Sequence, residues 1–138
     1  MDNSLDFKII SMLMQDGRAP ISSMAKRLSV SKGTVRNRLM HLSKAKTIVG
    51  YKARVRLGKL GMEEVLIGFD IAPERYLAAI DSLKKKGFIR EVYRTTGDHV
   101  AIAIAVAESE EIERRLAELS KIEGVRRVYP SFVQETVK

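Results

Sequence analysis

The sequence of 138 residues predicts an α+β protein of two modules, three short helices followed by the order strand, helix, strand, strand, helix, strand. Three observations carry this reading. Apolar residues recur at helical spacing as far as Leu42, they change to alternation from Ile48, and the charge balance changes sign between the halves. Up to Leu60 there are 13 Lys and Arg against 3 Asp and Glu, whereas from Gly61 onward there are 12 against 14, so the whole formal surplus of +8 comes from the first 60 residues. Such asymmetry points to a first module that meets a polyanion. The expected boundaries are 1–47 for the helical module, 48–61 for a hinge strand and linker, and 62–138 for the second module.

In the first module Leu5, Ile9, Met12 and Leu13 form one apolar stripe, with Asp2, Asn3 or Ser4 as candidate caps and Gly17 as the stop. After Gly17-Arg18-Ala19-Pro20, the residues Ile21, Met24, Ala25 and Leu28 mark a second helix of about two turns. Ser29-Val30 breaks it. Ser31 then stands as the N-cap of a third helix that starts at Lys32 and carries Val35, Leu39 and Leu42 at i, i+4, i+7. Two helices joined by a short turn, with small Ala25 at the crossing and Val30 in the turn, make a helix-turn-helix. Ser31, Lys32, Gly33, Arg36, Asn37 and Met40 then face outward. Arg36 and Asn37 are the side chains that bond guanine and adenine edges in a bidentate manner, while Lys32 and Ser31 reach bases or phosphates. Glycine in a first turn costs helix stability, so Gly33 makes sense where backbone must come close to something. The partner this pattern points to is double-stranded DNA. A three-helix bundle used for protein contact is the competing reading, and it leaves the charge split without a cause.

From Ile48 to Leu57 apolar and basic residues alternate, which predicts a strand with Lys52, Arg54 and Arg56 on a wet, positive face. Gly58 and Gly61 mark a hinge. The second module opens with a strand at 62–71 that places Val65, Ile67, Phe69 and Ile71 on one face. Pro73 starts a helix bearing Tyr76, Leu77, Ile80 and Leu83, which ends on Lys84-Lys85-Lys86-Gly87, cations suited to a helix C-terminus. Strands follow at 88–95 and 100–107, then a helix at 110–122 with Ile112, Leu116 and Leu119, and a last strand at 125–137. At an offset of 36, Tyr76, Ile80, Leu83, Arg90, Val92 and Tyr93 fall on Ile112, Leu116, Leu119, Arg126, Val128 and Tyr129. Each half is therefore one split βαβ unit, and two such units make a ferredoxin-like βαββαβ sandwich with both helices on one face. In the third strand Val100, Ile102, Ile104 and Val106 alternate with Ala, so neither side is polar. The face without helices is expected to bury itself against a second copy, giving an isologous dimer.

The composition also excludes whole classes. There is no Cys, which rules out disulfides and thiolate zinc sites, and the two His, His41 and His99, are far apart in sequence, which speaks against a His-rich metal site, so no metal or cofactor is expected. No carboxylate pair or nucleophile–base pair is recognisable by spacing, so no catalytic residue is assigned and an enzyme is not expected. No apolar run reaches the roughly 18 residues of a membrane span and the N-terminus has no signal-peptide core, which predicts a soluble cytoplasmic protein without a membrane partner.

The segments Leu5-Asp6-Phe7-Lys8-Ile9-Ile10, Asp16-Gly17-Arg18, Ser31-Lys32-Gly33-Thr34-Val35-Arg36-Asn37-Arg38, Ile48-Val49-Gly50-Tyr51 and Thr96-Gly97-Asp98-His99 resemble the Lrp/AsnC transcriptional regulators, over essentially the whole chain. The resemblance implies a winged or hinge-linked helix-turn-helix followed by a ligand-sensing RAM (regulation of amino-acid metabolism) domain. It implies a sequence-specific regulator of promoter DNA, modulated by a small effector such as an amino acid held between dimers. It further implies homodimers that assemble into tetramers or octamers. On the DNA it places Ser31, Lys32, Thr34, Arg36 and Asn37 nearest the duplex, with Arg38 fixing packing or a phosphate; Gly33, Lys52 and Arg54 complete the expected DNA-binding set. For the effector it points to Thr95, Thr96, Gly97, Asp98 and His99, with Ser131, Gln134 and Thr136. Amides exposed at a glycine turn suit a carboxylate, and hydroxyls with an acid suit an ammonium.

The chain departs from the family pattern at His99-Val100, where an aromatic followed by an acid is usual, and at Lys46, where a Gly commonly ends the third helix. A left-handed cap at Lys46 would cost roughly 1 kcal/mol, so the helix is expected to run on or fray there. Two other readings stand beside the specific regulator. One is an architectural DNA-wrapping protein that relies on phosphate contacts from Lys8, Arg18, Lys26, Arg27, Lys44, Lys52, Arg54 and Arg56. The other is an enzyme similar to the siroheme decarboxylases, which share the two-module layout and need basic and His side chains around a large cavity.

Overall fold

The computed structural model describes residues 4–138, so Asp2 and Asn3 lie outside the described residues. Ser4 caps helix α1, Leu5–Gln15, its hydroxyl accepting from the Phe7 amide at 3.2 Å. Helix α2 spans Ile21–Leu28 and α3 spans Lys32–Lys44. Between them Ser29 takes a left-handed conformation with φ 55°, and the Val30 amide returns to the Ala25 carbonyl at 3.0 Å. This folds the chain back sharply enough for α2 and α3 to cross. Ile9, Met24, Ala25, Val35 and Leu42 are buried at the centre of the three helices, with Leu13, Leu28, Val30 and Leu39 half-buried around them. Ala25 thus sits in the core of the crossing, where its small size keeps the helices close.

The end of α3 corrects one expectation. The helix neither runs on nor frays: Lys46 adopts φ 61°, its amide donates to the Ser43 carbonyl at 3.1 Å, and the Thr47 and Ile48 amides both return to the Leu42 carbonyl. Closure of these end carbonyls, together with half-buried Ile48 against the helical core, outweighs the left-handed strain.

The hinge strand expected at Ile48–Leu57 is a second correction. Residues 49–56 run without a strand partner, and Leu57–Leu60 forms a single 3-10 turn. Alternation encodes a face, but a ladder needs a second strand, and the sheet strands of this chain pair among themselves. The chain divides into two compact units that part between Arg54 and Val55, inside the 48–61 segment and ahead of Gly58 and Gly61. Gly58 and Gly61 belong to the second unit, where the Ser109 amide and hydroxyl both donate to the Gly61 carbonyl at 3.2 Å.

The second unit contains β1 (Met62–Ile71), α4 (Tyr76–Lys84), β2 (Ile89–Arg94), β3 (Ala101–Glu108), α5 (Ile112–Ser120) and β4 (Val125–Phe132). Its sheet has the order β2-β3-β1-β4 with every pair antiparallel, the arrangement of a ferredoxin-like fold. Val65, Ile67, Phe69 and Ile71 of β1 and Ala101, Ala103, Ala105 and Ala107 of β3 are buried with Leu83 of α4 and Leu116 and Leu119 of α5. The alanine side of β3 is therefore the covered one, where small side chains let the helices approach. The opposite face carries Tyr93, Ile102, Ile104, Leu66, Gly68 and Tyr129, which the register sets side by side.

The β4 strand ends at Phe132, short of the expected Val137. One further bond, the Val133 amide to the Glu64 carbonyl at 2.9 Å, closes the pairing, and the start of β1 pairs with β3 alone. Pro73–Arg75 makes a separate 3-10 turn before α4, because proline at its first position fits that turn.

Candidate nucleic-acid interface and effector loop

The outward face of α3 is built from the capping residue upward. The Ser31 hydroxyl accepts from the Thr34 amide at 3.0 Å and lies 2.9 Å from the Thr34 hydroxyl, which fixes the first turn. Lys32, Gly33, Arg36, Asn37 and Met40 follow, all exposed along one side, while Val35, Leu39 and Leu42 turn inward. Thr34 is half-buried and engaged with the cap. At Gly33 an added Cβ would meet only the Ser31 hydroxyl, at an ordinary 3.8 Å, so the fold itself does not require a glycine there.

Arg38 is held by the protein. Its Nε and Nη2 donate to the two carboxylate oxygens of Asp6, each at 2.6 Å, joining α3 to α1. Hydrogen bonding from Arg38, reinforced by its charge, holds the Asp6 carboxyl below the usual carboxylate range and raises the guanidinium in turn. The side chain is thus engaged in packing α3 against α1. Lys52 and Arg54 are exposed on the segment after α3.

The loop between β2 and β3 is tied to its own backbone. The Thr95 amide donates to the Val100 carbonyl at 3.2 Å, the Thr95 hydroxyl to the His99 carbonyl at 2.6 Å, and Gly97 takes φ 105°, a conformation natural to glycine. Tyr76 of α4 also donates its hydroxyl to the Val100 carbonyl at 2.6 Å. The His99 ring folds down onto the open sheet face, over Gly68 and against Tyr129, with ring centroids 4.9 Å apart. A Cβ at Gly68 would lie 2.5 Å from that ring. The Nδ1 of His99 is buried there without a hydrogen-bond partner.

The expected effector residues divide into two groups. Thr95–His99 lie at the Phe69 end of β1, because Val100 bonds Phe69, whereas Gln134 and Thr136 follow the Val133–Glu64 bond at the other end. Gly68 and Glu64 alone are four residues apart, about 13 Å along a strand. Ser131 stands between, opposite Leu66. One chain therefore does not bring the two groups onto one small ligand. Among the described residues no group of three or more His, Asp or Glu is placed to hold a metal ion, and no helix is long and apolar enough to cross a membrane.

Comparison with known proteins assigns both units. Residues 3–43 match the AsnC-type helix-turn-helix domain and residues 64–138 match the Lrp/AsnC ligand binding domain. The HTH-type transcriptional regulator LrpA of Pyrococcus horikoshii is 34% identical over 141 residues, spanning 100% of each chain. The chain belongs to the Lrp/AsnC family. It is thus a transcriptional regulator with a DNA-binding helix-turn-helix and a ligand-binding domain.

Solved Lrp/AsnC-type structures share the fold. The leucine response regulatory protein LrpA of Mycobacterium tuberculosis superposes with a TM-score of 0.79 at 20% identity, covering 100% of this chain and 95% of that one. A transcriptional regulator of Neisseria meningitidis in complex with L-Met gives 0.74 at 20% identity, covering 100% and 93%. Sequence reasoning missed two features of this family member. The Asp6 partner of Arg38 lies 32 residues away, and the Gly68–Tyr129 seat of His99 spans two other strands. Gly68 between Ile67 and Phe69 of β1 was the available signal for the second, since a strand glycine often marks close approach.

Proposed function

We propose that this Lrp/AsnC regulator reads promoter DNA directly through α3, with Arg36 and Asn37 on base edges and Lys32 and the helix start on phosphates. The observation that carries the reading is the exposed row Lys32, Gly33, Arg36 and Asn37, at whose centre a glycine stands that the fold does not need. Close approach of a groove wall to the Gly33 backbone gives it a reason. Lys52 and Arg54, on the 48–61 segment between a DNA-reading module at 1–47 and a sensing module at 62–138, add phosphate contacts. Thr34 and Ser31 serve the helix cap and support the face from behind. The work is done on the promoter, in the cytoplasm.

The open sheet face, with Leu66, Ile102, Ile104, Tyr93 and Tyr129, is the surface on which a second copy stacks, and dimers assemble further into tetramers or octamers. The effector is a small molecule of the amino-acid class. Support comes from the Neisseria meningitidis relative crystallised with L-Met and from the chemistry of the loop, where Gly97 frees backbone amides and Asp98 and Thr96 are exposed. Because Thr95–His99 and Ser131, Gln134 and Thr136 are apart within one chain, the effector site is assembled from two copies, the loop of one beside the β4 end of another.

A gel-shift titration on the DNA upstream of the protein's own gene, against random DNA of equal length and with or without a pool of amino acids, tests this. Preference for the upstream DNA that shifts with one amino acid is expected. Equal affinity for both DNAs at every ligand concentration would favour the architectural reading, with affinity set by phosphate contacts alone.

A further inference from the structure

The two edges of the sheet are protected differently. On β4, Pro130 removes a donor, a common device on edge strands. Strand β2 has no proline and pairs only with β3. Since the Thr95 amide bonds Val100, the same alternation puts Tyr93 opposite Ile102 and Glu91 opposite Ile104 as bonded pairs, and directs the backbone amides and carbonyls of Val92 and Arg94 away from the sheet.

Beside that edge runs a groove of about 590 Å³ between α4 and β2. Its apolar floor is Leu77 and Ile80 of α4 with Ile89 and Val92 of β2, and Leu77 is 68% exposed. Its rim is basic. Lys84 and Arg90 stand at one end, and Arg94 at the other, its guanidinium 5.5 Å above the Tyr76 ring. The one acid on the α4 side, Asp81, is paired with Lys85 at 2.9 Å, and hydrogen bonding from that lysine holds its carboxyl low. Pairing of two β2 edges from two copies would set like charges of Arg90 and Arg94 against each other, which is unfavourable.

We propose that this groove is a docking site for an extended, acidic segment of a partner protein, which joins the sheet as a fifth strand beside β2. Backbone bonds to Val92 and Arg94 give the register, alternate apolar side chains cover Leu77 and Ile80, and carboxylates at the two ends meet Arg94 and the Lys84–Arg90 pair. The groove shares no residue with α3 or with Thr95–His99, so it offers a regulator bound to DNA a contact for another protein.

The test uses full-length protein and a fluorescein-labelled octapeptide with Val at alternating central positions and Glu at both ends, together with a counterpart in which Lys replaces Glu. Anisotropy titration at moderate salt is expected to show the acidic peptide binding at least tenfold more tightly than the basic one. Arg90→Glu combined with Arg94→Glu should weaken it at least tenfold, and so should Leu77→Asp, with circular dichroism and promoter gel shifts unchanged. Absent or equal binding of the two peptides, or binding that survives both variants, would overturn the proposal. A loss of DNA affinity in the double variant as large as the loss of peptide affinity would give the groove to nucleic acid and overturn it equally.

Discussion

Arg38 and Asp6 form a two-pronged ion pair, each nitrogen 2.6 Å from its own carboxylate oxygen, that locks the recognition helix onto the first helix. The pair sits on the side of α3 away from Lys32, Gly33 and Arg36. It fixes the orientation of α3 against α1.

Arg38→Ala is accordingly expected to lower the melting temperature while leaving base preference intact once the folded fraction is matched. Acid titration gives the second readout. Asp6 titrates lower in the folded protein than its ordinary value of about 3.9, so the pair's contribution is present above that value and is lost as pH falls through the lower folded one. Thermal melts from neutral pH into that acid window should show a decline in the native protein that is blunted in Arg38→Ala.

Gly33→Ala separates stability from function. The site has room for a methyl group, and alanine favours a helix over glycine by about 0.5–1 kcal/mol, so denaturant unfolding should show a gain of that order. Gel shifts on the same variant should show weaker DNA binding, because the added Cβ stands where the groove wall comes closest. A gain in both would mean that nothing approaches Gly33.

Lys46→Gly relieves the strained residue that closes α3. Its left-handed φ of 61° costs a side chain roughly 1 kcal/mol, which glycine avoids, and chemical denaturation is expected to show a stabilisation of about that size.

Gly68→Ala tests the seat of the β2–β3 loop. The new Cβ would strike the His99 ring, so the ring must leave Tyr129 and carry the β2–β3 loop with it. NMR should show the His99 and Tyr129 resonances shift while those of Leu116 and Leu119, on the covered side, stay in place. Sedimentation of the same variant should report weaker self-association.

Local patterns in the sequence already carried most of the fold. The alternation of Val65, Ile67, Phe69 and Ile71 placed β1 residue for residue, Ser31 marked the cap of α3, and the offset of 36 brought the starts of α4 and α5, and of β2 and β4, into step. What was illegible depended on partners. Alternation between Ile48 and Leu57 describes a strand face without naming a second strand, and among the described residues none pairs with it. The β4 strand stops at Phe132 although β1 runs on to Met62 beside β3, a stop that Val133 and Val137 themselves do not mark. Lys46 holds a left-handed cap because half-buried Ile48 and three returning amides support it, a sum no single residue type announces.

The site was legible unevenly for the same reason. Lys32, Gly33, Arg36 and Asn37 follow from helical spacing alone and appear together on one exposed side. Arg38, one residue further, needed a partner from α1 to reveal its role. The expected effector residues came from resemblance, and within one chain Thr95–His99 and Gln134–Thr136 stand at opposite ends of β1, with Ser131 between them.

The most direct test of the account is the base preference of Arg36→Ala. Relative affinities of native and variant protein are measured by gel shift across a set of operator variants, each changed at one base pair. Loss of about 1–3 kcal/mol of discrimination at a single position, with the other positions unaltered, is the predicted result. Unchanged relative affinities at every position would contradict direct reading by α3.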